Sequence, residues 1–405
     1  MLLLLAALLA VPPGDTVVVD PGPAGTLAAA LERAPRGGTV LVRAGRYRLT
    51  AELRITRPVA IVGEGAPVLE GTGPHGLLRI QADSVTLRGL VLRNVERSFI
   101  DDRAAVLFDS TAGCVVRDNR FEQTFFGIYL KGVRGCLVAG NRLDGYRGDR
   151  ASGGNGIHLW NSTGVVVERN EITGHRDGIF LEFSTDAHVR RNLSTRNGRY
   201  GLHFMFSHDC EYADNRFADN GAGIAVMYAK RVRMRRNDFA DNWGAAAYGL
   251  LLKDISDSEI EDNRFLSNSV ALLVEGSTRL RVTGNEFSRN GWAVKLMANS
   301  EDNRFERNNF AGNAFDVATN SRSSSSTFAE NRWDQYRGYD LDRDGYGDVP
   351  FRPVRFFSLV VQEHEPALIL LRSFFVELLD VAERVLPILT PETLVDARPR
   401  MGDRS

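Results

Sequence analysis

Two histidines and two methionines recur at matched offsets in this chain. His158 stands in Gly156-Ile157-His158-Leu159-Trp160, and His203 and Met205 in Gly201-Leu202-His203-Phe204-Met205. Met227 closes Gly223-Ile224-Ala225-Val226-Met227, and Glu182 holds the matching place in Gly178-Ile179-Phe180-Leu181-Glu182. Thioether sulfur and imidazole nitrogen together suit a soft cation, Cu(I) above all, and suit Ca2+ or Mg2+ poorly. His158, His203, Met205, Met227 and Glu182 are therefore candidate ligands for transient Cu(I). An apolar patch of aromatic and methionine side chains, covered by a loop, a terminus or a partner, has the same composition. His175, His188 and His208 fall in turns beside this group and read as isolated surface histidines within reach of it.

A second constellation has harder chemistry. Asp340-Leu341-Asp342-Arg343-Asp344-Gly345 opens like a calcium loop of the EF-hand kind, which places three carboxylates on one side of a tight turn. Asp348 fits the ninth position, but the twelfth is Phe351 where a bidentate Glu belongs. Asp340, Asp342, Asp344 and Asp348 are candidate calcium ligands, with a solvated acidic turn as the alternative.

What must position the first group is a repeat. Asn119-Arg120-Phe121 returns as Asn141-Arg142-Leu143, Asn170-Glu171-Ile172, Asn215-Arg216-Phe217, Asn237-Asp238-Phe239, Asn263-Arg264-Phe265, Asn285-Glu286-Phe287 and Asn331-Arg332-Trp333. The spacing is 22 or 23 residues from 170 through 192 and 215 to 237, and the longer gaps, 141 to 170 and 237 to 263, mark insertions. A fixed period of this size signals a solenoid. Within each repeat the apolar residues alternate, as in Ile128/Leu130 and Ile157/Leu159, so the segments are strands with one buried face. Short strands separated by Gly, Asn and Asp predict an all-β solenoid, a right-handed parallel β-helix. The leucine pattern and helices of a leucine-rich horseshoe are missing. Stacking brings equivalent positions roughly 4.8 Å apart from turn to turn, so the recurrent Asn can hydrogen-bond along a column.

Parity then sorts the side chains. With 128 and 130 inside, one outward column reads Tyr129, His158, Phe180, His203, Ala225, Leu251, Leu273, Lys295. The next reads Lys131, Trp160, Glu182, Met205, Met227, Lys253, Glu275, Met297. Both columns are expected to be exposed. His203 and Met205 are two apart on one strand, roughly 6.5–7 Å between Cα atoms, and Met227 lies one rung, roughly 4.8 Å, from Met205.

The remaining chain frames this solenoid, which is expected over residues 14–332. Residues 1–13 read as a secretory signal: Leu2 to Val11 is an apolar run too short to span a bilayer, followed by Pro12-Pro13-Gly14. No Lys or Arg precedes the run, and a buried first strand is the alternative. Thr26 to Ala34 predicts a short capping helix with Thr26 as N-cap, stopped by Pro35 and Gly37-Gly38. Cys114, Cys136 and Cys210 each precede a repeat Asn by five residues, an interior column. Successive turns place Cys114 and Cys136 within bridging distance, but free buried thiols are the expected state. The segment 333–354 is an acidic loop and linker, and 355–405 an amphipathic tail. In that tail a helix is predicted over Pro366 to Leu389, with Leu368, Leu371, Phe375, Leu378, Leu379, Ala382 and Leu386 on its apolar stripe. It carries too many charges to span a membrane, and either caps the solenoid or docks on another protein. A net charge of -1 gives no support to a nucleic-acid partner.

The chain resembles the NosD family, which serves the maturation of nitrous oxide reductase. The likeness is carried by Gly-Ile-His-Leu-Trp at 156–160, Gly-Leu-His-Phe-Met-Phe-Ser-His at 201–208, the block from Trp333-Asp334 to Asp348-Val349-Pro350, and the apolar C-terminal segment. The resemblance implies a periplasmic subunit of an ABC-type complex with a membrane permease and a cytoplasmic ATPase. It further implies a copper-chaperone lipoprotein as donor, nitrous oxide reductase as client, and the permease as receptor for the residues after Pro366. The rival class is an exported polysaccharide lyase, hydrolase or epimerase. Such sites need paired carboxylates, or a basic residue near several acids, on adjacent rungs. The two outward columns offer only Glu182 and Glu275, so no catalysis is expected. A metal-free scaffold joining a transporter to its client is the third reading.

Overall fold

The structure, a computed structural model, describes residues 15–402 apart from 24–25, 99, 147–152, 245–246, 322, 372, 377 and 380–393. The signal expected over residues 1–13 lies outside the described residues. Three parallel sheets of fourteen, thirteen and twelve strands run the length of a right-handed β-helix, as expected. Sheet 1 runs from Thr16–Val19 to Thr327–Ala329, sheet 2 from Arg46–Leu49 to Arg332–Trp333, and sheet 3 from Leu53–Ile55 to Phe315–Thr319. Sheet 3 holds the glycine-led strands, among them Ile157–Trp160, Asp177–Glu182, Tyr200–Met205 and Ala222–Met227.

The recurrent Asn-x-Phe phrase has a double purpose. Each Asn side chain accepts from the Asn one turn earlier and donates onward, from Asn119 to Asn141 (3.1 Å), Asn141 to Asn170 (3.0 Å) and so on to Asn308 and Asn331 (3.0 Å). Every ladder amide is buried, so the column satisfies polar groups that water cannot reach. Two residues on, Phe239, Phe265, Phe287, Phe310 and Trp333 stack at 4.6, 4.8, 4.9 and 4.1 Å inside the coil. The glycine that leads many of the sheet 3 strands has a steric cause: a Cβ on Gly156 would lie 2.6 Å from the Gly178 carbonyl oxygen.

Three expectations about the rest of the chain change. Helix α1 (Thr26–Arg33) buries Leu27, Ala30 and Leu31, but Thr26 is its first residue and donates its hydroxyl to the Pro23 carbonyl (2.7 Å) instead of capping. Cys114 and Cys136 form a disulfide with Cα atoms 4.5 Å apart, while Cys210 is free and buried. Stacking on successive rungs brings the two thiols together, and this outweighs the commonness of free cysteine in cores.

The C-terminal segment is more broken than predicted. Helix α2 spans Phe356–Glu363, and a tight turn over Glu365–Leu370 follows it. His364 separates the two at φ -135°, ψ 81°, and within the helix predicted over Pro366 to Leu389 the described residues 374–376 and 378–379 are helical after that turn. Positions 380–389 of that prediction lie outside the described residues. Phe357, Val361 and Val376 pack against Ala225, Leu251, Leu273, Trp292 and Phe315, so the segment lies along the outer face of sheet 3. The end of the coil is closed instead by residues 394–402, where Asp396 bridges Phe328 and Phe351, and Arg400 bridges Arg332 and Tyr346.

Candidate functional site

Parity holds at the candidate copper face. Ile157, Leu159, Leu202, Phe204, Ile224 and Val226 are fully buried in the coil, and the alternate side chains project from sheet 3. The register pairs Trp160 with Glu182, Glu182 with Met205 and Met205 with Met227, so the second column stands as the spacing required.

Exposure differs from the expectation. Tyr129, His158, Phe180 and His203 are each less than a tenth exposed. They stack face to face at 4.6, 4.8 and 4.5 Å, so each ring covers the next, and Phe126 closes over Tyr129 and His158. Further along, the C-terminal segment covers Ala225, Leu251 and Leu273. Glu182, Met205 and Met227 are half-buried, and Met227 packs against the same cluster.

This geometry divides the ligand set. His158 and His203 lie two rungs apart, roughly 9.5 Å, with the Phe180 ring between them. One ion cannot bridge that distance. His203 shares a strand with Met205, and Met205 pairs with Met227 on the next turn, so these three are neighbours in the register. His158 falls to the other side with Glu182, whose carboxylate lies 4.0 Å from its Nε2.

Sequence reasoning missed the group that holds His203. Asp177 is fully buried on the same sheet, accepts from Arg199 Nε (2.9 Å) and the Tyr200 amide (3.3 Å), and lies 3.6 Å from His203 Nδ1. Burial pushes its carboxyl up, but hydrogen bonding and charge from His203 and Arg199 outweigh that and hold it at about 2. Arg199 Nη2 also lies 3.2 Å from His203 Nδ1. The Arg199 guanidinium and the Asp177 carboxylate therefore both face the Nδ1 edge of the His203 ring. Among the described residues His203 Nε2 and both ring nitrogens of His158 are buried without a hydrogen-bond partner. Burial drives the His158 pKa down to about 3, so that ring is neutral near pH 7.

The other histidines are placed elsewhere. His188 lies on sheet 1 between Asp186 and Glu211, each 3.6 Å away, and His208 sits at the following corner. His175 is buried, not on the surface: it opens a second asparagine ladder, its amide donating to Asn197 (3.2 Å). Burial lowers its pKa to about 4. The unfolded chain therefore binds a proton that the folded chain refuses between about pH 6.5 and 4. The stability this group contributes is present above pH 6.5 and lost as pH falls toward 4. His175→Asn installs the ladder residue of the next turns. Its melting temperature is expected to fall by several degrees less than the wild type's between pH 7 and pH 5; equal falls would exclude His175 as a source of acid lability.

The acidic turn gathers Asp340, Asp342 and Asp344, with carboxylate oxygens within 4.8 Å of one another. Asp348 instead accepts the Leu341 amide (2.7 Å), Asp340 accepts from Asp344 and Gly345 (3.2 and 3.0 Å), and Asp344 pairs with Arg398 (2.7 Å). Phe351 at the twelfth position bridges Asp396 and supplies no ligand.

An open groove of about 800 Å³ lies on sheet 2, lined by Arg93, Arg120, Glu122, Arg142, Asp144 and Tyr146 among others. Glu122 and Asp144 face each other on adjacent rungs, a carboxylate pair outside the columns of sheet 3. Each is held by an arginine of its own strand, at 2.8 and 3.4 Å.

The chain has known relatives. The family model described as "Periplasmic copper-binding protein (NosD)" matches residues 146–341, which include His158, His203, Met205 and Met227. A Pseudomonas aeruginosa protein described as "Probable ABC transporter binding protein NosD" is 30% identical over 384 residues, covering 91% of this chain and 89% of its own length. A Stutzerimonas stutzeri protein of the same description is 27% identical over 375 residues, covering 88% of this chain and 85% of its own. The A-module of the Azotobacter vinelandii mannuronan C-5 epimerase AlgE6 superposes with a TM-score of 0.57 over 76% of this chain and 89% of its own. At 15% identity, it shares the fold alone.

Proposed function

This chain belongs to the NosD family of periplasmic copper-binding proteins, and on that premise we propose that it accepts Cu(I) at His203, Met205 and Met227 and passes it toward nitrous oxide reductase. The carrying observation is the register that sets Met205 against Met227 beside a buried imidazole whose Nε2 has no partner. Two thioethers and one imidazole make a soft, low-charge donor set, which suits a monovalent ion held for transfer. His158 and Glu182 form a neighbouring station one step along the sheet, where copper pauses on its way in or out. The acidic turn satisfies its own carboxylates and has no part in copper handling, and a bound calcium would brace the end of the coil.

The chain acts as a binding subunit, not an enzyme. Relatives described as ABC transporter binding proteins support a permease and an ATPase as partners, with a copper-chaperone lipoprotein as the donor. No helix among the described residues is long and apolar enough to cross a membrane. Association runs through the C-terminal segment: Val376 packs on sheet 3, while Ile369 and Phe374 are 89% and 78% exposed and Phe375 and Leu378 more than half exposed. An apolar surface of this kind marks an interaction site.

Removing the segment is a poor test, since residues 394–402 close the coil. Serine at Phe374, Phe375 and Leu378 together is the cleaner one. The triple variant is expected to melt within a few degrees of the wild type, because exposed side chains contribute little packing, and to lose co-purification with the permease. A complex that survives these substitutions would move the permease contact elsewhere.

A further inference from the structure

One column of sheet 3 carries almost no side chain. The residue before the core-facing Val106, Ile128, Ile157, Ile179, Leu202, Ile224, Leu250, Leu272 and Val294 is in every case glycine or alanine. The column looks into the coil and has no room. A Cβ on Gly201 would lie 2.9 Å from both the Gly223 carbonyl oxygen and the Phe217 ring, and one on Gly249 2.7 Å from the Ala271 carbonyl oxygen. The next turn breaks the rule: Val317 pairs with Val294, and the residue before it is Asp316. This is the last strand of sheet 3, so no further strand crowds the side chain.

Asp316 is nevertheless buried, only 5% exposed. Val317 bridges Val354, so the chain entering helix α2 runs beside the last strand. Arg355 heads that helix, and Phe357 leans on Phe315 at 6.2 Å. The carboxylate closes the second asparagine ladder. Asn313 accepts from Asn290 (3.0 Å) and donates its Nδ2 to the Phe287 carbonyl (2.9 Å) and to Asp316 (3.2 Å). Among the described residues this amide is the one hydrogen-bond donor to Asp316, a weak compensation for a buried charge. Two charged groups act on it from the packed elements: Asp334, which accepts the Gly312 amide (2.5 Å) at the end of sheet 2, and Arg355. Burial and repulsion by Asp334 outweigh Asn313 and Arg355 and raise the Asp316 pKa to about 7.

We propose that Asp316 is a proton-operated latch on the C-terminal segment: protonated, it lets residues 354–363 seat on the end of the coil, and ionised, it loosens them. The latch stands apart from the copper reading. When the segment lifts, water reaches the carboxylate and its acidity returns to the ordinary range. The seated form therefore keeps a proton that the lifted form has lost between about pH 4 and 7. Seating is tightest at the acid end of that window, weakens as pH rises through it, and changes no further above about pH 7. The same segment covers Ala225, Leu251 and Leu273 and packs near Met227, so proton concentration sets how often this face is uncovered.

The test is hydrogen exchange on the full chain, read over residues 354–363 by mass spectrometry and divided at each pH by the intrinsic rate. The opening constant of the wild type is expected to rise about tenfold or more between pH 5 and pH 7, and to level off by about pH 8. Asp316→Asn keeps the size and an acceptor oxygen but has no proton to lose. Its opening constant is expected to vary less than about twofold over that range. A flat wild type would overturn the latch, and so would an equal rise in both proteins, which would assign the pH response to other groups. Should Asp316→Asn fold poorly, Asp334→Asn decides. Without the repelling charge the rise is expected to shrink and to level off at lower pH, and an unchanged curve would overturn the latch.

Discussion

Replacing Met205 and Met227 together with leucine is expected to leave the coil folded and to lower its affinity for Cu(I) about a hundredfold or more. The fold survives because both side chains project from sheet 3 and are only half-buried, and because leucine nearly conserves methionine's volume, a swap that usually costs less than about 1.5 kcal/mol. Affinity falls because leucine has no donor atom, and His203 alone leaves Cu(I) badly under-coordinated. Met234, buried in the coil, is the control: Met234→Leu should change neither property much. Competition titration under anaerobic conditions reads the affinity and a thermal melt reads the fold. Equal affinity in the double variant and the wild type would remove these thioethers from the site.

The second large effect is expected at Asp396. The fully buried carboxylate of Asp396 ends the asparagine ladder, accepting from the Asn331 amide (3.0 Å), Asn331 Nδ2 (3.1 Å) and Trp333 Nε1 (3.0 Å). It also takes the amides of Glu330 (3.2 Å) and Arg398 (3.1 Å). Asp396→Ala strands several buried donors at once, and each unsatisfied group costs about 1–3 kcal/mol, so a loss of roughly 4 kcal/mol or more is expected. Asp396→Asn keeps an acceptor oxygen and should lose less. In a solenoid each turn contacts its neighbours only, so the damage should start at the end. Hydrogen exchange is expected to quicken first over residues 305–333 and last near Asn119. Uniform exchange, or an unchanged melt, would deny residue 396 its role as the terminal acceptor.

Much of this fold can be read from local spacing. The Asn period, the alternation in the glycine-led strands and the pairing of Met205 with Met227 depend only on residues at fixed offsets, so parity and register follow directly. Burial of the outward column does not. The cover over Ala225 and Leu251 comes from residues 356–379, more than a hundred positions away in sequence, and no periodicity announces such a contact. The same holds for Asp396, which looks like one more charge in a polar tail until the coil closes on it. Asp177 left a faint trace: an acid just before Gly178, one rung below Tyr200 and its neighbour Arg199. Glu122 and Asp144 are legible in the same way, each three residues after a repeat Asn. The start of the predicted C-terminal helix is a tight turn over Glu365–Leu370, and apolar spacing does not distinguish such a turn from the first turns of an α-helix.

The most direct test of the copper face is X-ray absorption at the copper edge on the protein loaded anaerobically with one Cu(I). Two sulfur scatterers and at least one imidazole nitrogen are expected in the first shell, with the sulfur contribution lost when Met205 and Met227 are both leucine. A shell of nitrogen and oxygen alone, or a sulfur signal that persists in the double variant, would contradict the assignment of copper to His203, Met205 and Met227.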